Sequence, residues 1–417
     1  MSRSNPIPET RPPAPPRRAL RRLSTLVTGL ALLTMASGCA DFSSEASTFT
    51  VQPSLTARAV VPDETTPGQL SPTPSTPPTG SESGSAPPSG GEVPADPCAP
   101  TDEAVIATCL SAPWGLAPLP DGVSALVGER TTGRILRVEK GKDPIQVAQI
   151  DDVDSTGDGG LLGIVLSPSY DEDGLIYAYV STATDNRVIR IASGDPPKAI
   201  FTGIPHGPTH NGGRLAFDAE RSLYVGTGDT GNPTAAADPA SLAGKVLRLD
   251  EFGKPVGTNP TPGSAIFASG FTQVAGMCLT GDGAMAALDH RQQQDLLLPL
   301  TAGKDYAKVT DGQALWTWTA ADGGAADCAI TNGILASTSL DKQQLTGVET
   351  GAGGTFTGTP NVLLDNRYGR LLSVAGGVEG LLWLTTSNKD GAGTPVPSDD
   401  RVVVVPSQSG GGEGGPD

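Results

Sequence analysis

Aromatic residues, histidines and long apolar runs are all scarce in this sequence. Its 417 residues include 8 Phe, 6 Tyr and 4 Trp, and only 3 His. The longest apolar segment, residues 23–38, is shorter than the roughly 20 residues that a membrane-spanning helix needs. The 54 Gly and 38 Pro disfavour helix interiors by about 1 and 3 kcal/mol per residue. These features argue against a membrane-spanning helix and against a long helical bundle.

Positive charge is scarce outside the first segment. Residues 1–38 contain six Arg and one Glu, whereas the whole chain has a formal net charge of −17, so residues 39–417 carry −22. Such an acidic body repels phosphate backbones and anionic lipid headgroups. We therefore expect no nucleic-acid partner and no electrostatic membrane binding.

The first 38 residues resemble a bacterial export signal. Basic residues precede the apolar run, as in the n- and h-regions of a signal peptide. The run ends in Ala36-Ser37-Gly38-Cys39, which resembles a lipobox, so Cys39 is predicted to be acylated. This predicts an exported lipoprotein that contacts the outer face of the cell membrane only through its lipid. A plain signal peptide with an incidental Cys39 and a twin-arginine export signal are the alternatives.

Residues 39–97 are predicted to be a disordered tether. Pro53–Pro97 contains eleven prolines among Ser, Thr and Gly and has almost no apolar periodicity. Such a segment buries too little apolar surface to offset the entropy of ordering. Residues 409–417 are predicted to be a short disordered tail.

Four cysteines remain once Cys39 is assigned to the lipid. An even number in an exported chain predicts two disulfides, Cys98–Cys109 at the domain entrance and Cys278–Cys328 between later segments. Metal binding is the alternative, but no Cys-x-x-Cys or His spacing supports it.

Short apolar or alternating strands separated by Gly-containing turns fill the rest of the chain. A strand–turn–strand pattern recurs about every 45–50 residues, a spacing that suits four-stranded blades. No convincing helix exceeds about 12 residues. The sequence therefore predicts an all-β fold, a six-bladed β-propeller over residues 98–408. The recurring units are Leu116–Val127, Ile164–Val180, Leu215–Val225 and Val374–Leu384.

One histidine stands out as a candidate catalytic group. His210 lies in a Gly-rich turn before a strand, and Asp229 follows between glycines. A histidine oriented by a carboxylate is the usual equipment of general base catalysis. Lys245 and Arg248, farther along, are predicted to be surface charges on a strand.

Seven segments, in order, resemble the glucose/sorbosone dehydrogenase family, which consists of soluble six-bladed propellers that use pyrroloquinoline quinone (PQQ). With the lipobox, tether and cysteines, the chain most closely resembles a subgroup of actinobacterial lipoproteins in that family. The segments are Pro113–Gly122, Leu126–Arg130, Gly157–Gly163, His210–Leu215, Leu242–Leu249, Asn366–Leu371 and Thr385–Gly391.

The resemblance implies roles for four residues. His210 matches the base that removes the proton of the anomeric hydroxyl of an aldose while hydride passes to PQQ, and Asp229 matches the acid that orients it. Asp158 stands where the family places Gln or Glu against the cofactor. Arg370 matches an arginine that pairs with PQQ carboxylates, since a tricarboxylate needs compensating cations.

The cofactor site also departs from the family pattern. A run that touches the cofactor, His-Arg-Asn in the family, is Phe271-Thr272-Gln273 here, which leaves Gln273 as a candidate contact. A second arginine is replaced by Leu372, and the family's lysine falls on Asp341, with Lys342 one place off. The loss of cations beside a trianion predicts weaker cofactor binding.

Calcium is the second cofactor that the resemblance implies. The family binds it through backbone carbonyls in a Gly-rich segment that reads Leu288–Gln294 here, and His290 and Arg291 are the candidate ligands. Calcium takes oxygen ligands and would polarise the quinone.

Two functions of different class follow. The first is an exported, lipid-anchored, PQQ-dependent aldose dehydrogenase that acts on a small sugar as a monomer. The second is a propeller that has lost catalysis and serves as a binding or scaffold lipoprotein of the cell envelope.

Overall fold

The computed structural model describes residues 96–100, 102–280, 282–351 and 354–407. The predicted signal segment, nearly all of the tether, Cys39 and the tail lie outside these residues. No helix in the described part of the chain combines the length and apolar character that crossing a membrane requires.

Six four-stranded antiparallel sheets make up the described fold, and we number them as blades 1 to 6 along the chain. Blade 1 consists of β2 (Pro113–Pro118), β3 (Ser124–Glu129), β4 (Arg134–Glu139) and β5 (Ile145–Gln149). Blade 2 consists of β6 (Leu161–Leu166), β7 (Ile176–Ser181), β8 (Asn186–Ile191) and β9 (Lys198–Ile204). Blade 3 consists of β10 (Gly212–Phe217), β11 (Leu223–Thr227), β12 (Lys245–Leu249) and β13 (Ile266–Ser269).

The remaining blades follow the same order, except that blade 6 also takes a strand from the start of the domain. Blade 4 consists of β14 (Gln273–Leu279), β15 (Met285–His290), β16 (Gln294–Pro299) and β17 (Trp316–Thr319). Blade 5 consists of β18 (Asp327–Thr331), β19 (Ile334–Ser339), β20 (Gln344–Thr350) and β21 (Phe356–Asp365). Blade 6 consists of β22 (Leu371–Gly376), β23 (Leu381–Thr386), β24 (Val402–Pro406) and β1 (Val105–Ala107).

Pairing of β1 with β24 closes the ring, because blade 6 then contains both ends of the domain. The first strands of neighbouring blades pack side by side from β2 through β22 and back to β2. The prediction of an all-β, six-bladed propeller is therefore confirmed.

Apolar cores between neighbouring blades hold the ring together. Strands β3 and β7 are buried along their whole length, because both faces of each are covered. Between blades 1 and 2, Leu126, Ile135 and Leu161 pack in one cluster and are almost completely buried. Each such side chain contributes roughly 1.5–3 kcal/mol on burial.

Helices are confined to the connections, as the Gly and Pro content predicts. In the described residues, α1 spans Tyr170–Asp173 and α2 spans Pro233–Ala237. Pro233 starts α2, where a missing N–H is harmless, and the Asn232 side chain accepts from Ala235 N at 3.1 Å. Short 3-10 helices cover Asp311–Gln313, Ala320–Asp322 and Val378–Gly380.

Both predicted disulfides are present. Cys98–Cys109 closes a local loop at the start of the domain, with Cα atoms 5.7 Å apart. Cys278–Cys328 joins β14 to β18, with Cα atoms 6.2 Å apart, and so links the first strands of blades 4 and 5.

Candidate active site

The topology brings most of the predicted site residues to one face of the propeller. The first strand of each blade starts at this face, and the antiparallel second strand ends there. Asp158, His210 and Arg370 lie one to three residues before first strands, and Gln273 begins one. Asp229 lies two residues after a second strand, and His290 ends one. Residues far apart in the sequence therefore surround the same end of the central axis.

His210 and Asp229 form a hydrogen-bonded pair on blade 3. His210 Nδ1 lies 2.8 Å from Asp229 Oδ1. Because the carboxylate accepts, Nδ1 donates, which leaves Nε2 of a neutral imidazole as an unprotonated base. The His210 side chain is 35% exposed and that of Asp229 is 9% exposed. This base is therefore oriented and open to a ligand.

The backbone around this pair is fixed in an unusual conformation. His210 has a φ of 54°, in the left-handed region that few residues other than Gly adopt. A Cβ on Gly228 would lie 1.9 Å from the His210 carbonyl oxygen, so only glycine fits there. Asp229 is held in turn by its N–H, which donates to Thr272 O at 2.8 Å. The close approach explains the glycine that precedes Asp229 in the sequence.

Asp158 holds the backbone of His210, a contact that the resemblance did not imply. Its carboxylate accepts hydrogen bonds from the His210 N–H and from the Asn211 side-chain amide. Each oxygen of the Asp158 carboxylate therefore accepts one hydrogen bond from the 210–211 segment. Arg130 fixes the loop that carries Asp158 by donating to Gly157 O and Gly159 O at 3.1 and 2.9 Å. Sequence reasoning missed both Asn211 and Arg130 as supporting residues.

A buried ion pair lies at the centre of the ring. Arg214 Nη1 is 2.9 Å from Asp327 Oδ2, and both side chains are almost fully buried. The guanidinium lies 3.8 Å from the centre of the Trp114 ring and donates to Ala275 O at 2.6 Å and to Ser373 Oγ at 3.1 Å. This network ties together blades 1, 3, 4, 5 and 6. No role was predicted from the sequence for Arg214 or Asp327.

Burial is the largest influence on the pKa of each member of this ion pair. It raises the pKa of Asp327 to about 6, although the Arg214 charge opposes the rise. Burial also lowers the pKa of Arg214 from its ordinary value. Each partner therefore needs the other to remain charged in the interior.

Removing one partner of this pair is expected to destabilise the propeller strongly. Arg214→Met should lower the free energy of unfolding by about 3–5 kcal/mol, because it leaves the Asp327 carboxylate buried and uncompensated. The double variant Arg214→Met/Asp327→Leu should recover a large part of that loss. Denaturant unfolding of the three proteins measures both effects, and additive losses in the double variant would contradict this account.

We use the name axial cavity for the space of about 300 Å³ beside Arg214 and Trp114 on the same face. Gln273, His290 and Leu372 line it, together with Gly323, Gly324, Ala325 and Ala326. Gln273, a candidate cofactor contact, is thus part of the cavity lining. The small residues leave room for a flat ligand, and Arg214 and Gln273 provide donor groups.

The cations expected around an anionic cofactor are mostly paired or displaced. Arg370 Nε lies 2.8 Å from Asp390 Oδ2, and its Nη1 lies 3.3 Å from Asp341 Oδ1. Asp341 lines the axial cavity, whereas Lys342 lines a separate cavity beside Trp316 and carries no ion pair among the described residues. The structure thus places an acid, not Lys342, at the axial cavity.

The predicted calcium segment is a turn held by side-chain ion pairs. His290 Nδ1 lies 2.7 Å from Asp295 Oδ1, and this partner raises the pKa of His290. Arg291 Nε lies 2.6 Å from Asp289 Oδ2. No three His, Cys, Asp or Glu side chains converge on a metal position in the described part of the chain. Calcium at this turn would therefore depend on the backbone carbonyl groups of His290 and Arg291.

Comparisons with known proteins agree with this arrangement. The family model described as glucose/sorbosone dehydrogenase matches residues 110–314. The structure of the PQQ-bound form of aldose sugar dehydrogenase from Streptomyces coelicolor is 35% identical, with a TM-score of 0.68, over 72% of this chain and 95% of that chain.

Two curated relatives match over shorter stretches. Aldose sugar dehydrogenase YliI of Escherichia coli K12 is 31% identical over 170 residues, which cover 37% of this chain and 46% of that protein. Quinoprotein glucose dehydrogenase B of Acinetobacter calcoaceticus is 26% identical over 235 residues, 46% of this chain and 49% of that protein. The chain spans about half the length of the curated relatives it matches.

Proposed function

The chain belongs to the glucose/sorbosone dehydrogenase family, and we propose that it oxidises an aldose at the anomeric carbon with PQQ as the electron acceptor. The observation that carries this proposal is the His210–Asp229 pair, an oriented base that is open to a ligand. The family relationship supplies the reaction class, and the pair supplies the group that the reaction needs.

His210 Nε2 takes the proton from the anomeric hydroxyl of the sugar in this proposal. Asp229 keeps the proton of His210 on Nδ1 and stabilises the imidazolium that forms. Asp158 holds the backbone of His210 and so fixes the direction of the ring.

The axial cavity would hold the cofactor. PQQ, when bound, supplies a quinone that accepts the hydride from the sugar. Arg214 and Gln273 would donate hydrogen bonds to its oxygens, and Trp114 offers an aromatic surface. The lining fits a flat, oxygen-rich group, but Asp341 and the pairing of Arg370 predict weak retention of a tricarboxylate.

The assay for this function uses the full chain with added PQQ and calcium and follows dye-linked oxidation of several aldoses. We expect turnover that depends on PQQ, and stimulation by calcium if the carbonyls of His290 and Arg291 bind it. Absence of both PQQ binding and sugar turnover would rule out the dehydrogenase.

We further propose that the protein is exported and anchored by a lipid on Cys39. Cys39→Ser in a bacterial host should move the protein from the membrane fraction to the soluble fraction, because the acyl chains would be missing. Cell fractionation with immunoblotting measures this change. Retention of the variant in the membrane fraction would contradict the lipid anchor.

A binding or scaffold lipoprotein without redox activity is the second candidate. Asp341 favours it, because this carboxylate lines the axial cavity, where it would repel an anionic cofactor. Tight PQQ binding with sugar turnover would remove this candidate.

A further inference from the structure

A second cavity opens between blades 3 and 4 on the same face, and we call it the interblade cavity. It measures about 460 Å³, within the range of about 300–1,000 Å³ that is usual for small-molecule sites. No residue that lines it also lines the axial cavity. Its charged lining residues are Asp229, Lys245, Arg291 and Asp305.

Lys245 is an unexpected member of this lining, because the sequence predicted a surface charge. The side chain is only 1% exposed, so that prediction is wrong. Its Nζ donates to Ala236 O at 2.6 Å and to Ala243 O at 2.7 Å. It forms no ion pair with a carboxylate among the described residues, and burial lowers its pKa. An ammonium has three N–H groups, so one remains for a ligand.

Asp229 offers the complementary group. Its Oδ1 accepts from both His210 Nδ1 and Gly231 N, each at 2.8 Å. Its Oδ2 accepts no hydrogen bond from the residues that the structure describes. One carboxylate therefore contacts the base through one oxygen and leaves the other for a donor in the interblade cavity.

The mixture of charges selects the class of ligand. A cation would face the Lys245 ammonium and the Arg291 guanidinium, and an anion would face the Asp229 and Asp305 carboxylates. A neutral ligand with hydroxyl groups can donate to the acids and accept from the lysine. Phe271 and Pro233 add apolar surface for its C–H groups.

We propose that the interblade cavity is a second carbohydrate site, which takes a neutral sugar or polyol and contacts His210 through Asp229. The site shares Asp229 with the proposed oxidation, but neither PQQ nor the axial cavity contributes to it. A hydroxyl on Asp229 Oδ2 would draw charge from the carboxylate and so change the hydrogen bond to His210.

The test uses the apo full chain and sugars that cannot be oxidised at the anomeric carbon, namely methyl α-glucoside, methyl α-mannoside and sorbitol. The chain has only 3 His, so ¹⁵N-histidine labelling gives few signals, and that of His210 is assigned by its loss in His210→Asn. We expect at least one probe to shift the His210 ring nitrogens saturably. Absence of a saturable shift with all three probes would overturn the proposal.

Two matched variants on α2 locate the ligand. Ala237 lines the interblade cavity, and Ala237→Trp should fill it and weaken binding by about tenfold or more while leaving Lys245 and Asp229 in place. Thr234 is exposed on the same helix but does not line the cavity, so Thr234→Trp should bind normally. Undiminished binding by Ala237→Trp would place the sugar elsewhere and overturn the proposal.

Lys245→Met tests the contribution of the ammonium. It keeps an unbranched apolar stem but removes the donor, so we expect loss of probe binding. Circular dichroism would show whether the variant is folded, and normal binding by the folded variant would exclude Lys245 as a ligand contact. Because no cofactor is present, these results do not depend on whether the chain oxidises sugars.

Discussion

His210→Asn is expected to lower kcat for aldose oxidation by about 10²–10⁴-fold, the usual contribution of a general base. Asparagine can still donate a hydrogen bond, but its side chain cannot accept the proton of the anomeric hydroxyl. The affinity for PQQ should change little, because His210 does not line the axial cavity. Steady-state kinetics with saturating PQQ, together with a separate PQQ titration, measure the two quantities.

Asparagine is the suitable replacement because the backbone of His210 has a φ of 54°, which Asn tolerates better than most residues. The N–H that donates to Asp158 is also retained. His206→Asn is the matched control, since His206 makes no contact with the His210–Asp229 pair among the hydrogen bonds of the described residues. Equal turnover by His210→Asn and the wild type would refute the role of His210 as the base.

The recurring strand–turn–strand units in the sequence correspond to inner hairpins of the blades. Leu116–Val127 covers the second half of β2 and most of β3, and Val374–Leu384 covers the second half of β22 and most of β23. The hairpins of blades 4 and 5 were missed because their apolar patterns are interrupted. Gly276 follows an irregularity in β14, and β18 begins with the buried Asp327. A buried charge whose ion-pair partner lies on another blade breaks the local apolar pattern.

Only part of the candidate site could be predicted from the sequence. The resemblance implied roles for His210 and Asp229, and the structure contains a hydrogen bond between their side chains. The pairing of Arg370 with Asp341 and Asp390 was not predictable, because it depends on how three separate loops meet at one face. The burial of Lys245 likewise follows from its contacts with the carbonyls of α2 and the following loop. The separation of two residues along the sequence does not show whether they make such contacts in the fold.

Restoring positive charge at the axial cavity is expected to tighten PQQ binding by about 100-fold or more. Asp341→Lys removes a carboxylate that is 79% exposed and pairs with Arg370, and it adds an ammonium at the cavity edge. Leu372→Arg adds a guanidinium to the cavity lining. A hydrogen bond to a charged group contributes about 1.5–3 kcal/mol, so each substitution should strengthen binding by at least about tenfold.

Asp365→Lys separates this local effect from the change in net charge. It makes the same change of charge as Asp341→Lys, but at the end of β21, outside both cavities, so it should leave the dissociation constant nearly unchanged, especially at physiological salt. Fluorescence titration of the apo proteins with PQQ gives the dissociation constants. If the wild type and Asp341→Lys/Leu372→Arg bind PQQ equally, the acid at position 341 does not weaken the site. The expected gain, with no gain for Asp365→Lys, would mean that the shortage of positive charge at the axial cavity limits cofactor retention in this propeller.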